Sequence, residues 1–306
     1  KQLIVEIAEG LGNQLFMYAH AFSLAKKINY ELLIDNTSGY SKKKNRLKNH
    51  QKYMLDLFNI NQSFAPNHLR YDNPLKRSKK KIQIIRDKFS LKKKFIFEKK
   101  IRINQKKISM FLNIPNADYL SDKVYVQGYF EDFNYFSHLR TDLIKMFKPL
   151  NKFIQNNSDL INMLKNTNSV SIHIRQHRYT EQEHEKYNFS KKKMTYNFFL
   201  NLIAYIKRSI HYFERNIENP KFFIWANDFE NLENNFDKNK FIFIKNNDVI
   251  NDFNLFSYAK HFIVGGSTFH WWGAWLNDNP NKICVCPTDI NPSGNLNFYP
   301  DEWKKI

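Results

Sequence analysis

Three things are scarce in this chain of 306 residues: cysteine, long apolar runs and negative charge. The two cysteines, Cys284 and Cys286, sit in a CVC pattern inside an apolar run, which puts both on one face of a strand. No second pair exists to complete a zinc site, and no CxxC redox motif is present. Both read as buried thiols, consistent with a reducing, cytoplasmic setting. No run of about 18 apolar residues occurs, which argues against a membrane-spanning helix. The opening Lys1–Val5 lacks the apolar centre and cleavage site of a signal peptide and reads as a first strand. No D-x-D triplet advertises a divalent metal bridging a diphosphate. Acids number 29 against 48 Lys and Arg, leaving a formal charge of +19.

What is abundant bounds the answer from the other side. Hydrophobic residues make up 42% and aromatics 16%, enough for a sizeable core in one large domain or two ordinary ones. The charge is uneven. Between Lys76 and Lys107 stand 15 Lys or Arg against Asp87 and Glu98, a net +13. Such a segment fits a solvated basic face, a peripheral membrane patch or a nucleic-acid surface. The interleaved aromatic motifs of nucleic-acid modules are missing, so no nucleic-acid partner is expected.

The order of elements reads as α/β. Leu3–Ile7 is a buried strand, residues 14–28 an amphipathic helix, and Glu31–Ile34 the next strand, a βαβ start. The segment 124–136 reads as a strand, a glycine turn and the start of a helix that runs to about Lys148. A second series follows: strands at 169–174, 221–225, 240–244, 261–264 and 283–286, and helices at 194–213, 251–260 and 268–277. The expectation is two Rossmann-like domains facing a cleft. Residues 1–155 form the first, carrying a basic insertion at 76–110, and residues 156–306 the second. In such sheets ligands bind beyond the carboxyl ends of the strands.

Four stretches could carry chemistry. In "EGLGNQLF", Gly10 and Gly12 suit a dinucleotide turn, but Leu15 occupies the third glycine's place. Asn13 and Gln14 offer amides for hydroxyls or carbonyls. In "VSIHIRQHRYT", a strand ends in alternating His173, Arg175 and His177, and a guanidinium there can grip two phosphate oxygens. The same arginine could instead be a surface ion pair, and no third ligand supports a metal at His173 and His177. In "FIVGGSTFHWWGAWLN", Ser267 and Thr268 lead into a helix whose N-terminus favours an anion. The alternative is a plain helix cap with Trp271, Trp272 and Trp275 in the core. In "FFIWANDFE", Asp228 could bind a nucleoside or cap the helix that follows.

Taken together these residues resemble glycosyltransferase family 11, the GDP-fucose-dependent α-1,2-fucosyltransferases. "GLGNQLFMYAHAFSLA", "YMLDLFNI", "VYVQGYFEDFNYF" and "SIHIRQHRY" match family segments in order. "NDFNLFSYAKHFIVGGSTFHWWGAWLN" is the most specific of them. The resemblance implies a GT-B fold and inverting transfer of L-fucose from GDP-fucose to a sugar hydroxyl, α-1,2 to galactose, on a surface glycan. It implies no essential metal and no cofactor beyond the donor. Arg175 would hold the diphosphate, helped by Ser267 and Thr268, and Asp228 would meet the nucleoside. Gly10, Gly12, Asn13 and His173 complete the expected donor set.

The chain departs from the family pattern at Gln176, His177 and Arg178, which replace Arg, Gly and Asp. Gly265-Gly266 and His270 depart from it in the last segment. A different nucleotide-sugar donor therefore stays open. The base is not assigned; His177, Glu131 and Asp132 are candidates. The acceptor is expected to be a glycan, lipid-linked at the inner membrane face if 76–107 meets the bilayer. Two other classes stand beside this reading. One is an NAD-dependent oxidoreductase, opposed by Leu15. The other is a non-catalytic glycan- or nucleic-acid-binding protein.

Overall fold

The computed structural model describes residues 1–41, 52–103, 106–110, 116–180, 187–230, 232–245, 247–291 and 293–306. The polar, Lys-rich stretch 36–50 lies mostly outside the described residues. The chain forms two compact units, Lys1–Phe147 with Ser293–Phe298, and Lys148–Pro292 with Tyr299–Ile306.

Unit 1 runs β1 (Gln2–Glu6), α1 (Leu11–Ile28), β2 (Glu31–Asp35), α2 (Ser38–Ser41), α3 (Pro74–Lys88) and β3 (Lys93–Phe97). It continues with β4 (Lys99–Ile103), β5 (Lys106–Met110), β6 (Leu120–Gln127) and α4 (Arg140–Met146). Its main sheet has the order β2-β1-β6-β3 with every pair parallel. β4 and β5 pair antiparallel on their own. Parallel strands need covered crossovers, and α1 supplies one. Its buried face includes Leu15, Phe16, Ala19 and Leu24. It stops at Asn29, in the left-handed region at φ 56, whose amide closes onto the carbonyls of Ala25 and Lys26.

Unit 2 runs α5 (Ser158–Asn166), β7 (Asn168–Ile174), α6 (Phe189–Asn216), β8 (Pro220–Ala226), β9 (Phe241–Ile244) and α7 (Val249–Phe256). Then come β10 (His261–Ile263), α8 (Thr268–Leu276), β11 (Cys284–Cys286) and β12 (Lys304–Lys305). The sheet order is β12-β11-β10-β7-β8-β9, parallel throughout. Val170, Ile172 and Ile174 of β7 pack with Leu202, Ile206 and Phe213 of α6. Burying each such side chain stabilises by about 1.5–3 kcal/mol. The opposite face turns His173 towards Phe256 of α7 and His270 of α8. Trp271, Trp272 and Trp275 are core, and both cysteines are buried free thiols. Burial pushes the Cys286 thiol up to about 12, which leaves it unreactive.

The structure corrects three expectations. Residues 128–139 are not the start of a long helix: two 3₁₀ turns, Phe133–Tyr135 and Ser137–Leu139, precede the short α4. α6 begins five residues before Met194, because the Asn188 side chain accepts the Lys191 amide and caps it there. Residues 293–298, expected in the second domain, pack in unit 1. Asp132 accepts from Asn297 Nδ2 at 3.0 Å, and the Phe298 ring lies 6.0 Å from Phe16. Among the described residues no helix is long and apolar enough to cross a membrane.

Candidate functional site

Strand order singles out one place in each unit. In unit 2 the chain leaves β7 for β8 and β9 on one side, then crosses back to β10 and β11 on the other. β7 and β10 are therefore the topological switch point, where the connecting loops splay apart and leave a crevice. In unit 1, β1 and β6 hold the same relation, with β2 beyond β1 and β3 beyond β6. Most of the segments singled out in the sequence leave these strands: 175–178 after β7, 265–268 after β10, 10–13 after β1 and 131–132 after β6, while Asp228 follows β8.

Backbone strain falls in the same places. Among the described residues five non-glycine residues have positive φ: Glu9, Asn29, Phe130, His177 and Asn219. The two asparagines occupy turns elsewhere and adopt this conformation at little cost. Glu9 (φ 65), Phe130 (φ 54) and His177 (φ 56) each stand three residues past the end of a switch-point strand. Strained residues of this kind gather at functional sites. The family glycine that His177 replaces now has a backbone reason, although histidine must bear the cost.

The loops at the carboxyl edge of unit 2 are laced together. The Gln176 amide donates to Asn227 Oδ1 at 2.7 Å, and Asn227 Nδ2 returns a bond to the Gln176 carbonyl at 3.1 Å. Gln176 Nε2 donates to the carbonyls of Asp228 and Glu230. His177 Nε2 lies 2.8 Å from Asp228 Oδ2. The amide of Glu230, and after it His177, hold the Asp228 carboxyl below its usual range. Asp228 thus belongs to a pair with His177, and both groups remain part-exposed. The strand pattern expected to align His173, Arg175 and His177 ends at Ile174, so His177 leaves that face.

Arg178 reaches across to the turn before α8. Its Nη1 donates to the Gly266 carbonyl at 2.7 Å, and its guanidinium lies 5.1 Å from the Phe198 ring. This ties the loop after β7 to the turn before α8. The glycines of that turn answer to crowding: a Cβ on Gly265 would stand 2.9 Å from Leu202 Cδ1, and one on Gly266 3.1 Å from Phe198 Cζ. β10 runs beside β7 with Ile263 opposite Ile172, so Arg175 and the turn at 265–268 emerge side by side. Ser267 is the N-cap of α8, yet its hydroxyl makes no capping bond. Thr268 follows in the first turn and is half-buried. A cation beside the amino end of a helix is an arrangement suited to a diphosphate.

His173 does not face that crevice. It is buried among Phe256, Phe269 and His270, and burial, then the charge of Arg175, pulls its pKa down to about 3. His270 is held neutral in the same way and meets Ser171 Oγ at 3.0 Å. Both rings are interior packing, and His173 leaves the expected donor set.

In unit 1, Gly10 caps α1, and a Cβ there would meet nothing within 4 Å. Gly12 is buried in the first turn, and Asn13 is half-buried beside it. Gln14, read as a ligand-facing amide, is instead internal. It donates to the carbonyls of Glu9 and Lys52 and accepts from the Met54 amide, stapling 52–54 to the turn. Asp132 caps Asn134 and holds Asn295 and Asn297, so its oxygens serve the fold. Burial raises its carboxyl even so, with those hydrogen bonds opposing. Glu131 is half-buried. Sequence reasoning passed over Glu9, whose Oε1 lies 3.4 Å from the Tyr129 hydroxyl. The signal that would have found it is a glutamate just before G-L-G, where the chain must turn sharply.

Comparison with known proteins decides the family. The profile described as Glycosyl transferase family 11 matches residues 2–305. This chain belongs to glycosyl transferase family 11. The family member is a glycosyltransferase enzyme. It is 27% identical to an alpha-1,2-colitosyltransferase of Escherichia coli, over 99% of this chain and 98% of that one. It is 28% identical to the O-antigen biosynthesis glycosyltransferase WbnK of Escherichia coli, over 92% of each. Solved structures with a similar course include the fucosyltransferase NodZ from Bradyrhizobium (TM-score 0.43, 12% identity, 89% and 91% covered). FUT1 of Arabidopsis thaliana in complex with GDP is another (TM-score 0.48, 10% identity, 95% and 71% covered).

Proposed function

We propose that this transferase moves a 6-deoxy sugar, L-fucose or its 3-deoxy counterpart colitose, from a GDP donor to a sugar hydroxyl, with inversion. On this reading the two units are the acceptor and donor halves of a GT-B enzyme, and the linkage is α-1,2. The acceptor is a surface glycan under construction. No cofactor beyond the donor is needed.

The observation that carries the reading is the bond from Arg178 to the Gly266 carbonyl, which couples the Arg175 loop to the α8 turn. As the bond from the anomeric carbon to the diphosphate breaks, charge grows on the leaving oxygens. On this reading Arg175 and the first-turn amides of α8 are in place before that charge develops and need not reorganise. The acceptor oxygen attacks from the opposite face and loses its proton to a base or to water. The Asp228–His177 pair supports the nucleoside side of the pocket.

The test is the Arg175→Ala enzyme with a panel of GDP-sugars. Losing one preorganised donor of this kind costs about 3–4 kcal/mol of barrier, roughly a 100- to 1000-fold loss of kcat, with the fold retained. A near-normal rate would overturn the assignment. The wild-type panel separates fucose from colitose, and a protein inert to every donor would be a binding module instead.

A further inference from the structure

Helix α3 is amphipathic the wrong way round for a helix that packs on a sheet. Its inner side carries charge: Lys80 and Asp87 are both 8% exposed. Lys80 is neutralised by Glu6, and Asp87 accepts the amides of Lys94 and Phe95. Its outer side carries apolar bulk. Leu75 is 74%, Ile82 52%, Ile85 59% and Phe89 86% exposed, and Leu91 just beyond is 91% exposed. Leu75, Ser78, Ile82, Ile85 and Phe89 step by three or four residues, so they form one stripe along the helix. Exposed bases border it on both sides, Lys79 and Arg86 along one edge and Lys81 and Lys88 along the other.

An exposed apolar patch of this extent marks an interaction surface. The bases decide its partner. An apolar stripe between two rows of Lys and Arg is the pattern of a helix that lies in the plane of an anionic bilayer. A second copy of this face would instead bring like charges together. We infer that the outer face of α3 docks this enzyme on an anionic lipid surface, with Leu75, Ile82, Ile85 and Phe89 entering the headgroup region. The bases at its edges then lie level with the lipid phosphates. The inference is independent of which sugar is transferred.

The experiment is co-sedimentation of the full chain with phosphatidylcholine vesicles, with and without phosphatidylglycerol. Binding is expected only where phosphatidylglycerol is present. The Ile82→Asp/Ile85→Asp variant is expected to lower partitioning at least about tenfold. The Lys81→Gln/Lys88→Gln variant is expected to lower it roughly thirtyfold. All four side chains are exposed, so far-UV circular dichroism and transfer to a water-soluble acceptor should stay unchanged. Equal binding to neutral vesicles, or binding indifferent to Ile82 and Ile85, would overturn the proposal. So would a wild-type dimer that ignores vesicles and is dispersed by the aspartates, since a second copy would then be the occupant.

Discussion

Lys80 anchors α3 to the sheet of unit 1, and removing it should be costly. Its ammonium lies 3.1 Å from Glu6 Oε2 and 3.1 Å from Gln127 Oε1. It also sits 4.1 Å from the Tyr125 ring centroid and 4.8 Å from that of Tyr71. The side chains of the ion pair are 10% and 12% exposed, so solvent screens little of it. At an effective dielectric of about 20 the gross attraction is roughly 5 kcal/mol, much of it offset by desolvation. Lys80→Ala leaves Glu6 charged and facing only the Tyr125 hydroxyl and Gln127 Nε2. Stranding a buried charge costs about 3–5 kcal/mol. With a urea slope of about 2 kcal/mol per molar, the unit 1 midpoint should fall by roughly 2 M. The assay is built into the chain: all five tryptophans lie in unit 2. Tryptophan emission follows unit 2 while circular dichroism follows both, so the two curves should separate in the variant. Lys80→Met combined with Glu6→Gln should recover most of the loss, because the amide can still bond Tyr125. A midpoint shift below about 0.5 M, or a double variant no better than the single one, would refute the reasoning.

Glu9→Gly should stabilise unit 1 by about 0.5–1 kcal/mol, since relief of left-handed strain exceeds the entropy that glycine loses. A higher thermal midpoint by circular dichroism would show it, and a lower one would mean that contacts of the side chain outweigh the strain. The buried histidines predict acid sensitivity. His173, at about 3, and His270, also lowered, stay neutral while the unfolded chain takes up protons, so stability is full above about pH 6.5 and lost below it. Asp252, pushed up to about 6 by burial, acts in the opposite sense between pH 6 and 4 and offsets about one histidine. His261, lowered by burial and then by the charge of Lys260, adds to the loss, so unit 2 should lose at least about 1.4 kcal/mol per pH unit below 6, read as the urea midpoint of tryptophan emission. A midpoint constant from pH 7 to 5 would count against this.

Much of the fold was legible because parallel strands announce themselves. Leu3–Val5 and Phe222–Trp225 are apolar runs closed by turn residues, Val170–Ile174 alternates apolar with polar residues, and a helix follows Leu3–Val5 and Val170–Ile174. The four motifs were found for the same reason, since each sits where a strand stops. What each residue does there was less legible. Gln14 looked like a binding group and Asp132 like a base, and both are consumed holding chain segments far off in sequence. His173 looked aligned with Arg175, yet the strand ends at Ile174, and α7 and α8 cover the histidine. The basic stretch gave its charge but not its direction. Only packing reveals that α3 buries Lys80 and exposes Ile85.

By itself the sequence determined the strand–turn–helix order, the basic segment and the family, because these rest on local period, composition and motif. The tertiary structure decided which turns meet. Arg178 reaches Gly266 across 88 residues, and Asn297 reaches Asp132 across 165. Those meetings follow from strand order, which is fixed by how helices cover a sheet and not by any nearby residue. Burial then decided roles: a side chain sealed beneath a helix can only support the fold, while one left at a strand's carboxyl edge is free to do chemistry.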